Sequence, residues 1–222
     1  MLGLTNQQWT HKPFVISVTV MTETFLDKAY STGDDSRELY KNWSATYDEE
    51  VTGKGYVTPR RVAEALAQFC NDLSTPLLDY GCGTGLSGLA FRAAGFSTLH
   101  GIDVSAEMIE KAQEKEAYTT LRHFELENGP PVEAGAYSII AAVGVIGSGA
   151  APLSLFDTIM DLLAQNGLFS FSFNDHTLED PSFEAKVTDY TSSGQARLLF
   201  KDYGDHLPGI GLKSNVYILK KL

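Results

Sequence analysis

The sequence predicts a doubly wound α/β fold: a mostly parallel, seven-stranded sheet between helices, a terminal antiparallel strand pair, and an N-terminal helical cap. Three observations carry this. From residue 77 onward, short apolar runs alternate with amphipathic stretches of helical length. The stretch "LLDYGCGTG", residues 77 to 85, ends an apolar run on an acid and then places glycine at alternate positions. The last two strand-like runs, "ARLLFKDY" and "SNVYILKK", have no helix between them, so they are expected to pair antiparallel at one edge.

Taken in order, residues 1 to 20 have no counterpart in this pattern, and Met21 opens "MTETFLDKAYS", a more natural beginning. Translation is expected to start at Met21, leaving 1–21 as an extension and 22–222 as one domain with its cap at about 22–56. Residues 22 to 50 read as helical, broken near Gly33, with Tyr40, Trp43 and Tyr47 along one stripe. A loop, "TGKGYVTP", follows. Thr58 is expected to cap the next helix and Pro59 to occupy its first position. "LLDY" is then a strand, "GLAFRAAG" a helix ending at Gly95, and "STLHGID" a strand. Ser105 caps the helix "AEMIEKAQEKEA". "LRHFEL" and the uninterrupted apolar "YSIIAAVG" are strands, the second central. "LSLFDTIMDLLAQNG" reads as a helix closed by Asn166 and Gly167, "LFSFSF" as a strand, and 181–191 as a helix.

The formal net charge is −11, and the seventeen Lys and Arg are scattered. A nucleic-acid partner is therefore not expected, because phosphate contacts need a basic face. Cys70 and Cys82 build neither a disulfide framework nor a metal site, and suit reduced thiols in a cytoplasmic protein. Residues 14–21, "FVISVTVM", are not followed by a small-residue cleavage site. Residues 134–156 are uncharged but interrupted by glycines and a proline, and the run "IIAAVGVI" is too short for a bilayer span. No membrane association is expected.

The glycine loop admits two ligands. Gly83, Gly85 and Gly88 spell G-x-G-x-x-G with Asp103 twenty residues on, a pattern that a nicotinamide dinucleotide fits. Its first glycine, however, comes two residues after the turn at Gly81. The second reading starts from Asp79. "LLDYGCGTG" resembles motif I of the class I S-adenosylmethionine-dependent methyltransferases, and "GIDVSAEMIEKA" resembles the segment that follows it there. The resemblance spans about residues 35 to 222.

It implies a Rossmann-like methyltransferase sheet and S-adenosylmethionine as cofactor. Asp79 and the backbone of Gly81, Cys82, Gly83 and Gly85 would face the methionine moiety. Asp103 would accept from the ribose hydroxyls, Val104 and Met108 would pack on adenine, and Glu125 would meet its amino group. Val143 and Gly144 would line the wall near the sulfur. Plainer roles stay open: Asp103 as a helix cap, Glu125 as a solvated loop acid, and Met108 as core.

After the fourth strand the chain carries Val143-Gly144-Val145. It has there neither the Asn/Asp-Pro-Pro-aromatic motif of the exocyclic-amino enzymes nor the Pro-Cys of the cytosine-C5 type. It also lacks the aspartate of the metal-dependent catechol type, so no metal is expected. A small-molecule methyl acceptor is what remains. "LYKNWSATYDEEV" looks like the family's cofactor-capping segment, with Tyr40, Trp43 and Tyr47 either shaping the acceptor pocket or packing as core. "FNDHT" puts Asn174, Asp175 and His176 at the catalytic end of the sheet. His176 beside Asp175 is the candidate base, or the segment is a polar turn. Tyr203 and His206 lie on a late loop at the same face. Two other classes stay in play: a nicotinamide-dependent oxidoreductase and a non-catalytic S-adenosylmethionine-binding protein.

Overall fold

The computed structural model describes residues 43–222. Tyr40, the Met21 start and the extension at 1–21 lie outside the described residues, as does all of the cap before Trp43. Helix α1 (Tyr47–Gly53) and α2 (Thr58–Ala67) precede the sheet. Then come β1 (Leu77–Tyr80), α3 (Leu86–Ala93), β2 (Leu99–Asp103), α4 (Ala106–Glu114), β3 (Thr120–His123) and β4 (Tyr137–Ala142). The chain continues with α5 (Ser154–Leu162), β5 (Leu163–Asn174), α6 (Asp175–Leu178), α7 (Pro181–Ser192), β6 (Ala196–Leu207) and β7 (Leu212–Lys221).

The seven strands run in the order β3-β2-β1-β4-β5-β7-β6. Strands β1 to β5 pair in parallel, and β7 is antiparallel to both of its neighbours. The expected terminal hairpin is present, but its strands are longer than the apolar runs suggested. They extend through Leu207 and from Leu212, turning on a short 3-10 helix at Pro208–Ile210.

Alternation along the central strands divides the core. Leu77, Ile139 and Ala141 face α2 and α3, through Val62, Leu66 and Phe91. Leu78, Ile140 and Ala142 face α5 and α7, through Phe156, Ile159, Phe183 and Val187. On β5 the period of two places Phe169, Phe171 and Phe173 on the second face, where Phe171 stacks on Tyr217 at 4.8 Å. The serines between them point the other way, and Ser172 reaches the carboxyl end of the sheet, where it meets Gly144.

Two expectations are corrected. Helix α5 stops at Leu162, and "LAQNG" belongs to β5. Leu163 pairs with Tyr137 before a register shift, and Asn166 takes a left-handed φ of 64° within this irregular stretch. Thr58 is not the cap of α2: it is the first helical residue, and its hydroxyl turns to His206 and Ser214 instead. Ser105 does cap α4, accepting from Met108 N at 3.2 Å.

Candidate active site

The strand order reverses at β1, which sits between β2 and β4. At such a switch point the loops beyond the strand ends diverge and leave a crevice. Here a cavity of about 1280 Å³ opens there, lined by Tyr80 to Thr84, by Asp103 to Met108, by His123 to Leu126 and by Val143 to Val145. Three carboxylates line it, those of Asp103, Glu107 and Glu125, and no Lys or Arg is among the described lining residues.

The glycine loop is shaped by close approach. Gly81 has φ of 70°, and a Cβ there would meet Val145 at 2.7 Å. Gly83 has φ of 52° and open space on its Cβ side, so its bare backbone is accessible to a ligand. Gly85 does not line the cavity. It is the left-handed residue ahead of α3, against Ala112 and Tyr118. The third glycine of the dinucleotide pattern, Gly88, serves packing instead, since a Cβ there would fall 2.4 Å from the Tyr118 ring.

Asp103 ends β2 at the cavity. One carboxylate oxygen accepts from Gly83 N at 2.8 Å and the other from Ser105 N at 2.9 Å. Each oxygen keeps a lone pair for a ligand. Burial pushes this carboxyl up, and the backbone hydrogen bonds pull it back. Val104, Met108 and Glu125 line the same end, with Met108 buried. Glu125 Oε1 lies 3.7 Å from His123 Nε2.

Asp79 does not line the cavity. It is fully buried behind the loop, where Oδ2 accepts from Ser87 Oγ and from Tyr118 Oη, both at 2.6 Å. Burial raises its carboxyl to about 6, against the lowering effect of those two donors, and the Asp103 charge raises it further. Its Oδ1 is buried with no hydrogen-bond partner among the described residues. A carboxylate oxygen in that state fits an incoming cation or a water that carries one. The donor set and its charge therefore suit a ligand with an ammonium and vicinal hydroxyls, and oppose a pyrophosphate.

A second, smaller cavity of about 50 Å³ adjoins the first, and the two share Tyr47, Tyr56, Gly144 and Ala150. Trp43 lines the small cavity and packs edge-on against Tyr47 at 4.7 Å. Trp43 also belongs to a satellite core with Val51 and Leu207, so this aromatic pair is core and pocket wall at once. Helix α1 is tied to the glycine loop by Asp48, which accepts from Thr84 Oγ1 at 2.5 Å and pairs with Lys115 at 2.6 Å.

Asn174 and His206 line the small cavity, but Asp175 and His176 line neither. The candidate base pair is corrected on that point. Asp175 is taken up by the hairpin, accepting from Tyr203 Oη at 2.7 Å and Lys213 N at 2.8 Å. His176 Nδ1 lies 3.9 Å from Glu179 Oε1. Sequence reasoning missed Tyr118, Tyr56, Ser172, Thr58 and Arg61. Only the last two carried a signal, as polar residues opening a helix whose face is otherwise apolar.

Fold and site together define a class I S-adenosylmethionine-dependent methyltransferase domain. Residues 53–208 match the Methyltransferase domain family, and the chain belongs to it. It is 35% identical over 117 residues to the human Methyltransferase-like protein 27, covering 51% of this chain and 48% of that protein. The chain thus spans about half the length of the curated relative it matches. Among solved structures it is similar to the Synechocystis magnesium protoporphyrin IX methyltransferase with bound SAH. The TM-score is 0.60 at 16% identity, with 85% of this chain and 100% of that one covered. It is also similar to the complex of the Haloferax volcanii Trm112 methyltransferase activator with its methyltransferase. There the TM-score is 0.62 at 14% identity, over 83% and 97% of the two chains. The cofactor is S-adenosylmethionine.

Proposed function

We propose that this protein transfers a methyl group from S-adenosylmethionine to a small-molecule acceptor. The observation that carries this is the charge of the large cavity: three carboxylates and no described Lys or Arg beside a glycine loop. A dinucleotide would bring its phosphates against that charge. A cofactor with an ammonium and a sulfonium is drawn to it.

In this reading Asp103 holds the ribose hydroxyls, and Val104 and Met108 flank the adenine. Glu125 takes the adenine amino group. The backbone of Gly81 to Gly83 receives the amino-acid end, with Asp79 behind it as a buried counter-charge. The bound cofactor supplies an electrophilic methyl on sulfur. Val143 and Gly144 keep the wall there small, and Tyr47, Tyr56 and Trp43 exclude water from the junction of the two cavities. Positioning and desolvation supply the acceleration. The small size of the second cavity supports a small acceptor over a protein or nucleic-acid chain, and the two free thiols support a cytoplasmic setting.

Calorimetric titration with S-adenosylhomocysteine, with NAD and NADP as parallel ligands and Asp103→Ala as control, tests the cofactor half. Binding of the homocysteine alone, lost in the variant, is expected. A preference for NAD overturns the reading. Turnover across a panel of small acceptors separates an enzyme from a binding protein.

A further inference from the structure

We infer that the smaller cavity is a seat for an oxygen atom of the methyl acceptor, a carboxylate or ketone oxygen, held by hydrogen bonds that His206, Asn174 and Ser172 donate. This rests on the larger cavity being the cofactor site.

The donor character follows from proton accounting. Arg61 can only donate, and its Nη1 donates to Ser214 Oγ at 3.0 Å. Ser214 is fully buried, and the acceptor its own proton finds among the described residues is Thr58 Oγ1, at 3.1 Å. A buried hydroxyl proton needs a partner, so Ser214 donates to Thr58. Thr58 must then donate to its remaining neighbour, His206 Nδ1, at 2.8 Å. Nδ1 is thereby an acceptor, and the ring proton sits on Nε2. Burial lowers His206 to about 4, with Arg61 and His176 also lowering it and Asp175 opposing, so the ring is neutral at pH 7. Nε2–H has no hydrogen-bond partner among the described residues, and the ring lines the cavity.

The two neighbours are arranged alike. Asn174 Oδ1 accepts from Thr177 N at 3.0 Å and Thr177 Oγ1 at 2.9 Å, which fixes the amide and leaves its NH₂ group. Ser172 Oγ accepts from Gly144 N at 3.1 Å and keeps its O–H. His206 and Asn174 spend their acceptors inside the protein and keep a donor for the cavity, and Ser172 keeps its O–H beside one remaining lone pair. Among the described residues the wall holds no Asp, Glu, Lys or Arg, and its remainder includes Trp43, Tyr47 and Tyr56. Such a site favours an apolar body bearing an oxygen acceptor. It disfavours a cationic N–H donor, because the acceptor atoms of His206 and Asn174 are already taken and no carboxylate is among the described lining residues. His206 is then a positioning donor, not a base.

The test uses the full chain, labelled at histidine and asparagine nitrogen and saturated with S-adenosylhomocysteine at pH 7. The His206 signals are assigned by their loss in His206→Gln. Long-range proton–nitrogen correlations should show the ring neutral with its proton on Nε2. Three matched ligands are then titrated: benzoate, acetophenone and benzamidinium. Benzoate or acetophenone should shift His206 Nε2 and the Asn174 amide, and bind at least about tenfold tighter than benzamidinium. The tighter of the two identifies a carboxylate or a ketone seat. His206→Phe should weaken the tighter ligand by about tenfold, and His206→Gln, which keeps an N–H, should recover part of that. A proton on Nδ1, an imidazolium at pH 7, equal binding of benzamidinium, or no shift from any ligand overturns the inference. Failure of S-adenosylhomocysteine itself to bind is read in the first titration and sinks the cofactor reading instead.

Discussion

The Tyr118 hydroxyl donates to Asp79 Oδ2 at 2.6 Å, reaching it through a slot that two glycines keep open. A Cβ on Gly88 would lie 2.4 Å from the ring, and one on Gly101 would lie 3.0 Å from it. The acid of the glycine-loop motif is therefore not simply presented to the ligand. A phenol and the Ser87 hydroxyl hold one of its oxygens, and the other is left bare. That arrangement keeps a charge-bearing group rigid in a buried site, where an unpaired carboxylate is costly.

Tyr118→Phe removes one of the two donors on Asp79 while preserving the ring in its slot. Losing a hydrogen bond to a buried carboxyl should cost about 1–3 kcal/mol of stability. The Asp79 carboxyl should rise further, because this donor lowers it. Urea denaturation of the variant and wild type at pH 7 checks the first point. Unchanged stability would mean that the pair is not formed in solution.

Gly88→Ala and Gly83→Ala should separate two functions of one loop. The first drives a methyl into Tyr118, and overpacking of this kind costs about 1–3 kcal/mol. The second meets nothing within 4 Å, though its φ of 52° strains any side chain. Its methyl points into ligand space, so its main effect should be on the cofactor. The expected outcome is a lowered Tm for Gly88→Ala and, for Gly83→Ala, about tenfold weaker S-adenosylhomocysteine binding with a smaller change in Tm. The reverse pattern would restore Gly88 to a ligand-facing role.

Legibility from sequence followed the range of the forces involved. Helices α2, α3, α4, α5 and α7 and all seven strands could be read because period and punctuation are local, and Ser105 capped as its spacing required. The end of α5 could not, since the pairing of Leu163 with Tyr137 overrode a good helix-closing signal at Asn166-Gly167. Asp103, Met108, Glu125 and Val143 fall on the cavity because each lies at or beyond the carboxyl end of one of the parallel strands on either side of β1. Asp175 and His176 have the right chain position, but α6 and the hairpin turn them away. The relay from Arg61 to His206 joins residues 145 positions apart, and no local pattern announces it.

Asp48→Ala should unlatch α1 from the glycine loop. Asp48 is only partly buried, so the two contacts it makes should contribute less than about 1 kcal/mol to global stability. Their effect is local. Tyr47, the next residue back, lines both cavities. Amide exchange of Tyr47–Gly53 should accelerate in the variant, while exchange in β1 and β4 stays at the wild-type rate. Uniform acceleration across the sheet would mean that Asp48 supports the whole fold, not the latch.

The pH response of cofactor binding and of stability should run in opposite directions, both through Asp79. Its carboxyl in the folded protein is raised from 3.8 to about 6, chiefly by burial. A group raised in this way contributes stability below its unfolded value and loses it as pH climbs through its folded value. On the Asp79 account the ligand-free protein should therefore gain stability on going from pH 7 toward pH 4, by on the order of 3 kcal/mol relative to Asp79→Asn. Binding should do the reverse. If ionised Asp79 is the buried counter-charge to the ammonium of S-adenosylhomocysteine, affinity should fall as pH drops below about 6. In Asp79→Asn that slope should flatten. Denaturation and calorimetry at pH 5 and pH 7.5 on both proteins measure the two slopes together. If affinity is flat across this window in the wild type, Asp79 is not the counter-charge, and its unpaired oxygen serves only the packing of the loop.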